Sequence, residues 1–245
     1  MSSVLVLRGE MEAPFDGNVL LDKMVGAEIR LVTPEQYAQR IGPIMEDVAR
    51  ELRGQGRHPY VIPEGGSNAI GVWGYIRASR EIKDQLDGMD LKVDAVACAV
   101  GSGGTLAGLL IGGKLCAWRT RVVGFNVCDT AQYFQGGIGR LVAETIERYS
   151  LPVQISPQEI SLVDGYVGRG YALSRPEELD FIRMVAREEG TFLDPVYTGK
   201  AFLGLVDQIQ RGLFQKGQRV LFLHTGGIYG LFARDKREGL FPRQA

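Results

Sequence analysis

A glycine-rich run, Val100-Gly101-Ser102-Gly103-Gly104-Thr105, stands between an apolar, strand-like segment, DAVACAV, and an apolar, helix-like one, TLAGLLIG. A turn of this kind leaves several backbone N–H groups without intrahelical partners at the positive end of a helix dipole, and Ser102 and Thr105 add hydroxyls. The chemistry on offer is anion binding, with phosphate the best fit. The run has neither the lysine of a P-loop nor G-x-G-x-x-G spacing, which disfavours ATP and NAD; without a ligand the same residues make only a tight turn. Two more glycine turns, Pro63-Glu64-Gly65-Gly66-Ser67-Asn68 and His224-Thr225-Gly226-Gly227, also follow strand-like segments. In the first of them Ser67 or Asn68 can serve as a helix N-cap. Three such turns at the carboxyl ends of strands in one α/β unit would surround a common crevice, where open sheets bind ligands. Leu193-Asp194-Pro195-Val196-Tyr197-Thr198-Gly199-Lys200 brings a tyrosine and a threonine ahead of a helix, or is ordinary turn chemistry with a buried tyrosine.

Other reactive side chains are discounted. The two histidines, His58 and His224, are far apart, so no histidine metal site is expected, and no metal is assigned. Cys98, Cys116 and Cys128 show no C-x-x-C spacing and fit reduced, mostly buried thiols. No G-x-S-x-G nucleophile turn occurs. With Lys+Arg 28 against Asp+Glu 29, the net charge of −1 argues against a nucleic-acid partner, and 45% hydrophobic residues argue against disorder. No run reaches the roughly 18 apolar residues of a membrane span, and the first residues lack the features of a secretory signal. The expected location is the cytoplasm.

The elements that must position the three turns alternate between strand and helix. Val4 to Leu7, Ile29 to Val32 and Tyr60 to Ile62 read as strands; Gly17 to Gly26 reads as a helix. Another helix, opened by Thr33 as N-cap and Pro34 in the first turn, runs to about Arg53. Beyond Pro63 we expect a helix from Ser67 to about Leu86, a buried strand from Val93 to Val100, a helix from Leu106 to Trp118 and a strand from Val122 to Asn126. A long irregular and helical region then leads to about Gly190, followed by a helix from Ala201 to Ile209 and a last strand from Val220 to His224. The pattern is α/β with open parallel sheets, divided near Pro63 into a smaller unit (residues 1–63) and a larger one (residues 64–245).

In order along the chain, GNVLLDKMVGAE, PEGGSNAIGVWGY, AVGSGGTLAG, LDPVYTGKA and HTGG resemble motifs of the pyridoxal-phosphate enzymes with the tryptophan-synthase-β-like fold (fold type II). The resemblance is greatest to the branch containing D-cysteine desulfhydrase and 1-aminocyclopropane-1-carboxylate deaminase, and it runs from about Val4 to Ala233. It implies pyridoxal 5'-phosphate as cofactor, with the phosphate on Gly101, Ser102, Gly103, Gly104 and Thr105, and Thr225 facing the pyridine nitrogen. Thr198, where the cyclopropane deaminases carry glutamate, joins that cofactor set by the same resemblance. Tyr197 and Tyr171 are implied as the catalytic tyrosines near the substrate. A hydroxyl beside the pyridine nitrogen leaves a weaker electron sink than a carboxylate, which suits loss of a good β leaving group such as the thiol of D-cysteine.

In the family the cofactor lysine lies in an Asn-Lys motif upstream of a Ser-Asn motif, both ahead of the point matched by Met1. None of Lys23, Lys83, Lys92, Lys114, Lys200, Lys216 and Lys236 has an Asn-Lys context, and the family lysine matched by Lys200 does not bond the cofactor. The expectation is therefore an N-terminally truncated member that holds the cofactor non-covalently at most. The expected activity is a lyase or deaminase by descent, acting on a small amino acid such as D-cysteine to give pyruvate, ammonia and sulfide. The alternatives are a catalytically inactive homologue that binds phosphate, cofactor or a partner chain, a 1-aminocyclopropane-1-carboxylate deaminase, and a cysteate sulfo-lyase. Absent strands would expose a sheet edge, so a homodimer or self-association is expected.

Overall fold

The computed structural model describes residues 1–9 and 15–241. Its first sheet has two parallel strands, β1 (Val4–Arg8) and β2 (Glu28–Val32), joined through helix α1 (Gly17–Met24). Helix α2 (Pro34–Gly54) follows. Thr33 Oγ1 accepts the Gln36 N–H at 3.1 Å while Gln36 Oε1 accepts the Thr33 N–H at 3.0 Å, a capping box that with Pro34 fixes the start of α2 where the sequence placed it.

The second sheet carries the architecture of the site. Strands β3 (Ala95–Val100), β4 (Arg121–Asn126), β5 (Ser161–Val163) and β6 (Val220–Leu223) are all parallel, in the order β5-β4-β3-β6. The chain passes from β3 to β4 on one side, yet β6 lies on the other side of β3. The loops leaving β3 and β6 therefore part at a topological switch point, which opens a crevice at their carboxyl ends. β3 is buried along its whole length, as its unbroken apolar run requires of a central parallel strand.

Helices α3 (Trp73–Gly88), α4 (Gly104–Leu115), α5 (Ala131–Arg148), α6 (Pro176–Glu189), α7 (Thr198–Gln210) and α8 (Arg234–Leu240) complete the larger unit. Helix α4 is apolar on all sides and buried from Leu106 to Gly113, as a core helix must be. Gly108 and Gly112 let α3 approach closely, because a Cβ at Gly108 would lie 2.8 Å from the Val72 carbonyl oxygen and one at Gly112 2.5 Å from Ser79 Oγ. The two-stranded sheet lies within residues 1–63 and the four-stranded sheet within 64–245, and we retain Pro63 as the proposed boundary. Contact between the two comes partly from Asp16, whose Oδ2 accepts the Arg234 N–H at the start of α8 at 2.5 Å.

Three elements differ from expectation. Tyr60 to Ile62 pairs with no strand among the described residues, and Tyr60 and Ile62 are left 65% and 60% exposed. The helix expected from Ser67 begins only at Trp73, because Gly65 and Gly66 both take positive φ and Asn68 Oδ1 then closes a turn by accepting the Ile70 and Gly71 N–H groups. The short β5, within the region read as irregular and helical, adds an edge strand through three residues. All three cysteines are free thiols, with Cys98 buried in β3.

Candidate functional site

A cavity of about 360 Å³ opens at the switch point, within the size range of small-molecule and cofactor sites. The β3–α4 loop forms one wall through Gly101, Ser102, Gly103 and Thr105. Gly103, at φ +90°, turns the chain into α4. The N–H groups of Ser102, Gly103 and Thr105 find no partner among the described residues. Three donors at the start of a 12-residue helix give the wall the geometry that suits an anion.

Gly104 does not line the cavity, and its N–H is already taken. It donates to Ser67 Oγ at 3.2 Å, and the Ser67 hydroxyl in turn donates to Ser102 Oγ at 2.8 Å. Ser67 thus caps α4 from a distant loop instead of opening its own helix, and the second glycine turn is tied to the first. Asn68 is likewise spent on its local turn.

The third glycine turn supplies Thr225, Gly226 and Gly227 to the opposite wall. His224 is engaged locally: Nδ1 accepts the Gly226 N–H at 3.1 Å and Nε2 lies 2.9 Å from the Phe192 carbonyl oxygen. Gly227 packs on Asp194, a residue not singled out by its sequence context. Asp194 is 1% exposed and accepts the N–H groups of Val196, Tyr197 and Thr198 at 2.7, 2.8 and 2.6 Å. An aspartate just ahead of a helical run is a capping signal that could have revealed it.

This cap corrects the expectation for Thr198. Its side chain is fully buried, donates to Asp194 Oδ1 at 2.7 Å and accepts the Asp194 N–H at 2.9 Å. It does not line the cavity, so no electronic effect on a cofactor can be argued from it. Replacing Thr198 by glutamate, which alignment with the cyclopropane deaminases would suggest as a substrate switch, instead forces a second carboxylate against Asp194 in a closed core. We expect Thr198→Glu to lower unfolding free energy by roughly 3 kcal/mol. A denaturant midpoint equal to that of the unmodified chain would show the burial to be wrong.

Tyr197, at the start of α7, does face the cavity. Its ring lies on Gly101, where a Cβ would stand 2.7 Å from Tyr197 Cε1. Its hydroxyl lies 2.7 Å from that of Tyr171, which comes from the long loop ahead of α6. Burial first, and then the bond to Tyr171, push the Tyr197 phenol well above its ordinary range. It is therefore protonated at neutral pH and suited to donate or relay a proton. Tyr171 stands at the mouth, 39% exposed, with the Arg8 guanidinium 4.7 Å from its ring centroid and 5.6 Å from that of Tyr37.

Two further lining residues escaped the sequence. Cys128, just past β4, has its thiol pushed up to about 11 by burial, so it is a neutral side chain there and not a nucleophile. Glu64 lines the cavity from the turn that carries Ser67. None of the seven lysines lines it. Lys200 is 1% exposed and its Nζ donates to the carbonyl oxygens of Val167 and Gly170 at 2.7 and 2.8 Å. Among the described residues no cluster could hold a metal ion, and no helix is long and apolar enough to cross a membrane.

The family of pyridoxal-phosphate dependent enzymes matches residues 1–226. A putative 1-aminocyclopropane-1-carboxylate deaminase of Thermotoga maritima is 45% identical over 240 residues, covering 97% of this chain and 73% of that protein. The bifunctional mitochondrial D-cysteine desulfhydrase/1-aminocyclopropane-1-carboxylate deaminase of Arabidopsis thaliana is 40% identical over 220 residues, 88% of this chain and 53% of that protein. The crystal structure of an ACC deaminase homologue superposes with a TM-score of 0.86 at 39% identity, covering 97% of this chain and 69% of that one. O-ureido-L-serine synthase, at 17% identity and a TM-score of 0.65, shares the fold.

Proposed function

Because the chain belongs to the pyridoxal-phosphate-dependent enzyme family, we propose that its cavity serves a β-elimination on a small amino acid such as D-cysteine, releasing pyruvate, ammonia and sulfide. The observation that carries the proposal is the meeting, in one cavity, of the unpaired N–H groups of the β3–α4 loop with the Tyr171–Tyr197 hydroxyl pair. The residues fit the cofactor. The loop offers its phosphate N–H donors from Ser102, Gly103 and Thr105, with the Ser102 and Thr105 hydroxyls beside them and Gly101 and Gly104 shaping the turn. Thr225, across the cavity, is the hydroxyl we assign to the pyridine nitrogen. When bound, the cofactor acts as an electron sink that makes the substrate's α-proton removable. A hydroxyl at that nitrogen can donate to its neutral form, which leaves a moderate sink matched to a thiol leaving group.

A base for the α-proton would come from a lysine-bearing segment such as the one fused on below, since no lysine of this chain lines the cavity; the chain's own acid–base groups handle the leaving group. Tyr197, held protonated by burial, can give a proton to the departing sulfur, and Tyr171, wetter and hydrogen-bonded to it, can return one from solvent. Overall, D-cysteine and water become sulfide, ammonia and pyruvate.

A second reading, a homologue that holds the cofactor without turning it over, is favoured by one observation: no lysine lines the cavity. The test fuses an upstream segment bearing the Asn-Lys and Ser-Asn motifs ahead of Met1 and compares substrates. The fusion should release pyruvate and sulfide from D-cysteine with higher kcat/KM than it opens 1-aminocyclopropane-1-carboxylate. Equal or greater activity on the cyclopropane substrate would overturn the choice of substrate. Borohydride reduction of the unfused chain with pyridoxal phosphate should leave no pyridoxyl group on any of the seven lysines, whereas a single labelled lysine would overturn the non-covalent reading.

A further inference from the structure

Lys200 is a fully buried ammonium in a site that has no evident use for it. Its three donors are not spent on a carboxylate: two of them hold the main-chain carbonyls of Val167 and Gly170. A second lysine, Lys236 on α8, donates to the Ala172 carbonyl at 2.5 Å while pairing with Asp235 at 2.9 Å. Three carbonyls from six consecutive residues are thus gathered by two ammonium groups from two different helices. Between the last two of them sits Tyr171, whose hydroxyl meets Tyr197.

Turns of its own hold this segment in part, the Gly170 N–H donating to the Val167 carbonyl at 3.3 Å and the Leu173 N–H to the Gly170 carbonyl at 3.2 Å. Gly168, Gly170 and Ala172 take φ of +67°, +128° and +57°, and a left-handed alanine is strained. Charged donors to carbonyls are the stronger class of hydrogen bond and can hold such a conformation. The placement is also economical, since Lys200 lies three residues after Tyr197 and so shares its side of α7. One helical turn presents the protonated phenol and, beside it, the cation that fixes the loop bringing the opposite phenol.

We propose that Lys200 is a positioning residue for the Tyr171–Tyr197 pair, acting through the carbonyls of Val167 and Gly170 and assisted by Lys236. It touches neither cofactor nor substrate. The inference rests on the assignment of the two tyrosines made above, but its test needs no cofactor, so either can fail without the other.

In Lys200→Met, which keeps length and apolar bulk but removes the donors, amide exchange over residues 167–172 should accelerate about tenfold or more while β3 and α4 are unchanged. The near-ultraviolet dichroism of the tyrosine pair, assigned by its loss in Tyr197→Phe, should weaken in the same variant. In Lys200→Ala both signals should be restored by n-propylammonium and not by n-butanol, which separates a charged donor from a space-filler. Should Lys200→Met fail to fold, Lys200→Arg takes the same measurements, since it keeps the charge and displaces the donors. Unchanged loop exchange, an unchanged tyrosine signal or equal rescue by the alcohol would overturn the proposal.

Discussion

Replacing Gly103 by valine is expected to weaken binding of pyridoxal phosphate, or of inorganic phosphate, by about a hundredfold or more, a loss of about 2.7 kcal/mol. Two costs act together. At φ +90° any side chain is strained by about 1–2 kcal/mol, and a β-branched one by more. A Cβ at Gly103 would also lie 2.5 Å from Ile138 Cγ1, and Ile138, 1% exposed in the core, has no room to withdraw. The loop must therefore swing off α5, and the N–H groups of Ser102, Gly103 and Thr105 lose their common aim. Gly103→Ala meets the same geometry with a smaller group and should show an intermediate loss with the fold retained. Gly137→Ala on α5, where a Cβ meets nothing within 4 Å, should leave affinity unchanged. Equilibrium binding followed by cofactor absorbance, beside thermal unfolding of each variant, measures both effects; unaltered affinity in a folded Gly103→Val would remove the phosphate from this loop.

In the fused enzyme described above, Tyr197→Phe should lower kcat by roughly a hundredfold or more, the scale of a lost acid–base group, with little change in cofactor affinity. The ring that rests on Gly101 is kept, so the cavity keeps its shape and only the hydroxyl goes. Tyr171 would still reach water, being half-exposed at the mouth, so the stability cost should stay near 1 kcal/mol. Tyr171→Phe should cost less in kcat than Tyr197→Phe, because water can stand in for an exposed hydroxyl but not readily for a buried one. Comparable kcat for Tyr197→Phe and the unmodified fusion would show that the proton comes from elsewhere.

What was legible in the sequence was what local chemistry decides. The Gly101–Thr105 turn is legible because a glycine-rich passage between an apolar strand-like run and an apolar helix-like run fixes a strand–turn–helix, and β3 and α4 follow from the runs on either side. Thr33 and Pro34 marked the start of α2 for the same reason. Thr198 was implied only by the resemblance, and its inward turn is not legible because it depends on a cap four residues upstream, while the neighbouring Tyr197 faces the cavity. Ser67 or Asn68 reads as the cap of its own helix because capping is usually local, whereas the group Ser67 caps is 37 residues away. Cys128, Glu64 and Arg8 gave no signal because each reaches the site by the path of the chain in space. Tyr60 to Ile62 has the composition of a strand, but a strand requires a neighbour and none of the described residues pairs with it.

The strand order β5-β4-β3-β6 bears on how such a site can diversify. The walls of the cavity leave the sheet from β3, β4 and β6, with further residues from the turn at Glu64 and the loop of Tyr171, so they are distant in sequence and meet only at their tips. A substitution in one of them alters the lining without rethreading the sheet that holds the others in place. The Gly101–Thr105 loop, held between Tyr197, α5 and Ser67, is the least free to vary. The stretches carrying Thr225, Cys128 and Tyr171 are freer, so selection can retune them for a new substrate one at a time while the grip on a shared cofactor is inherited unchanged.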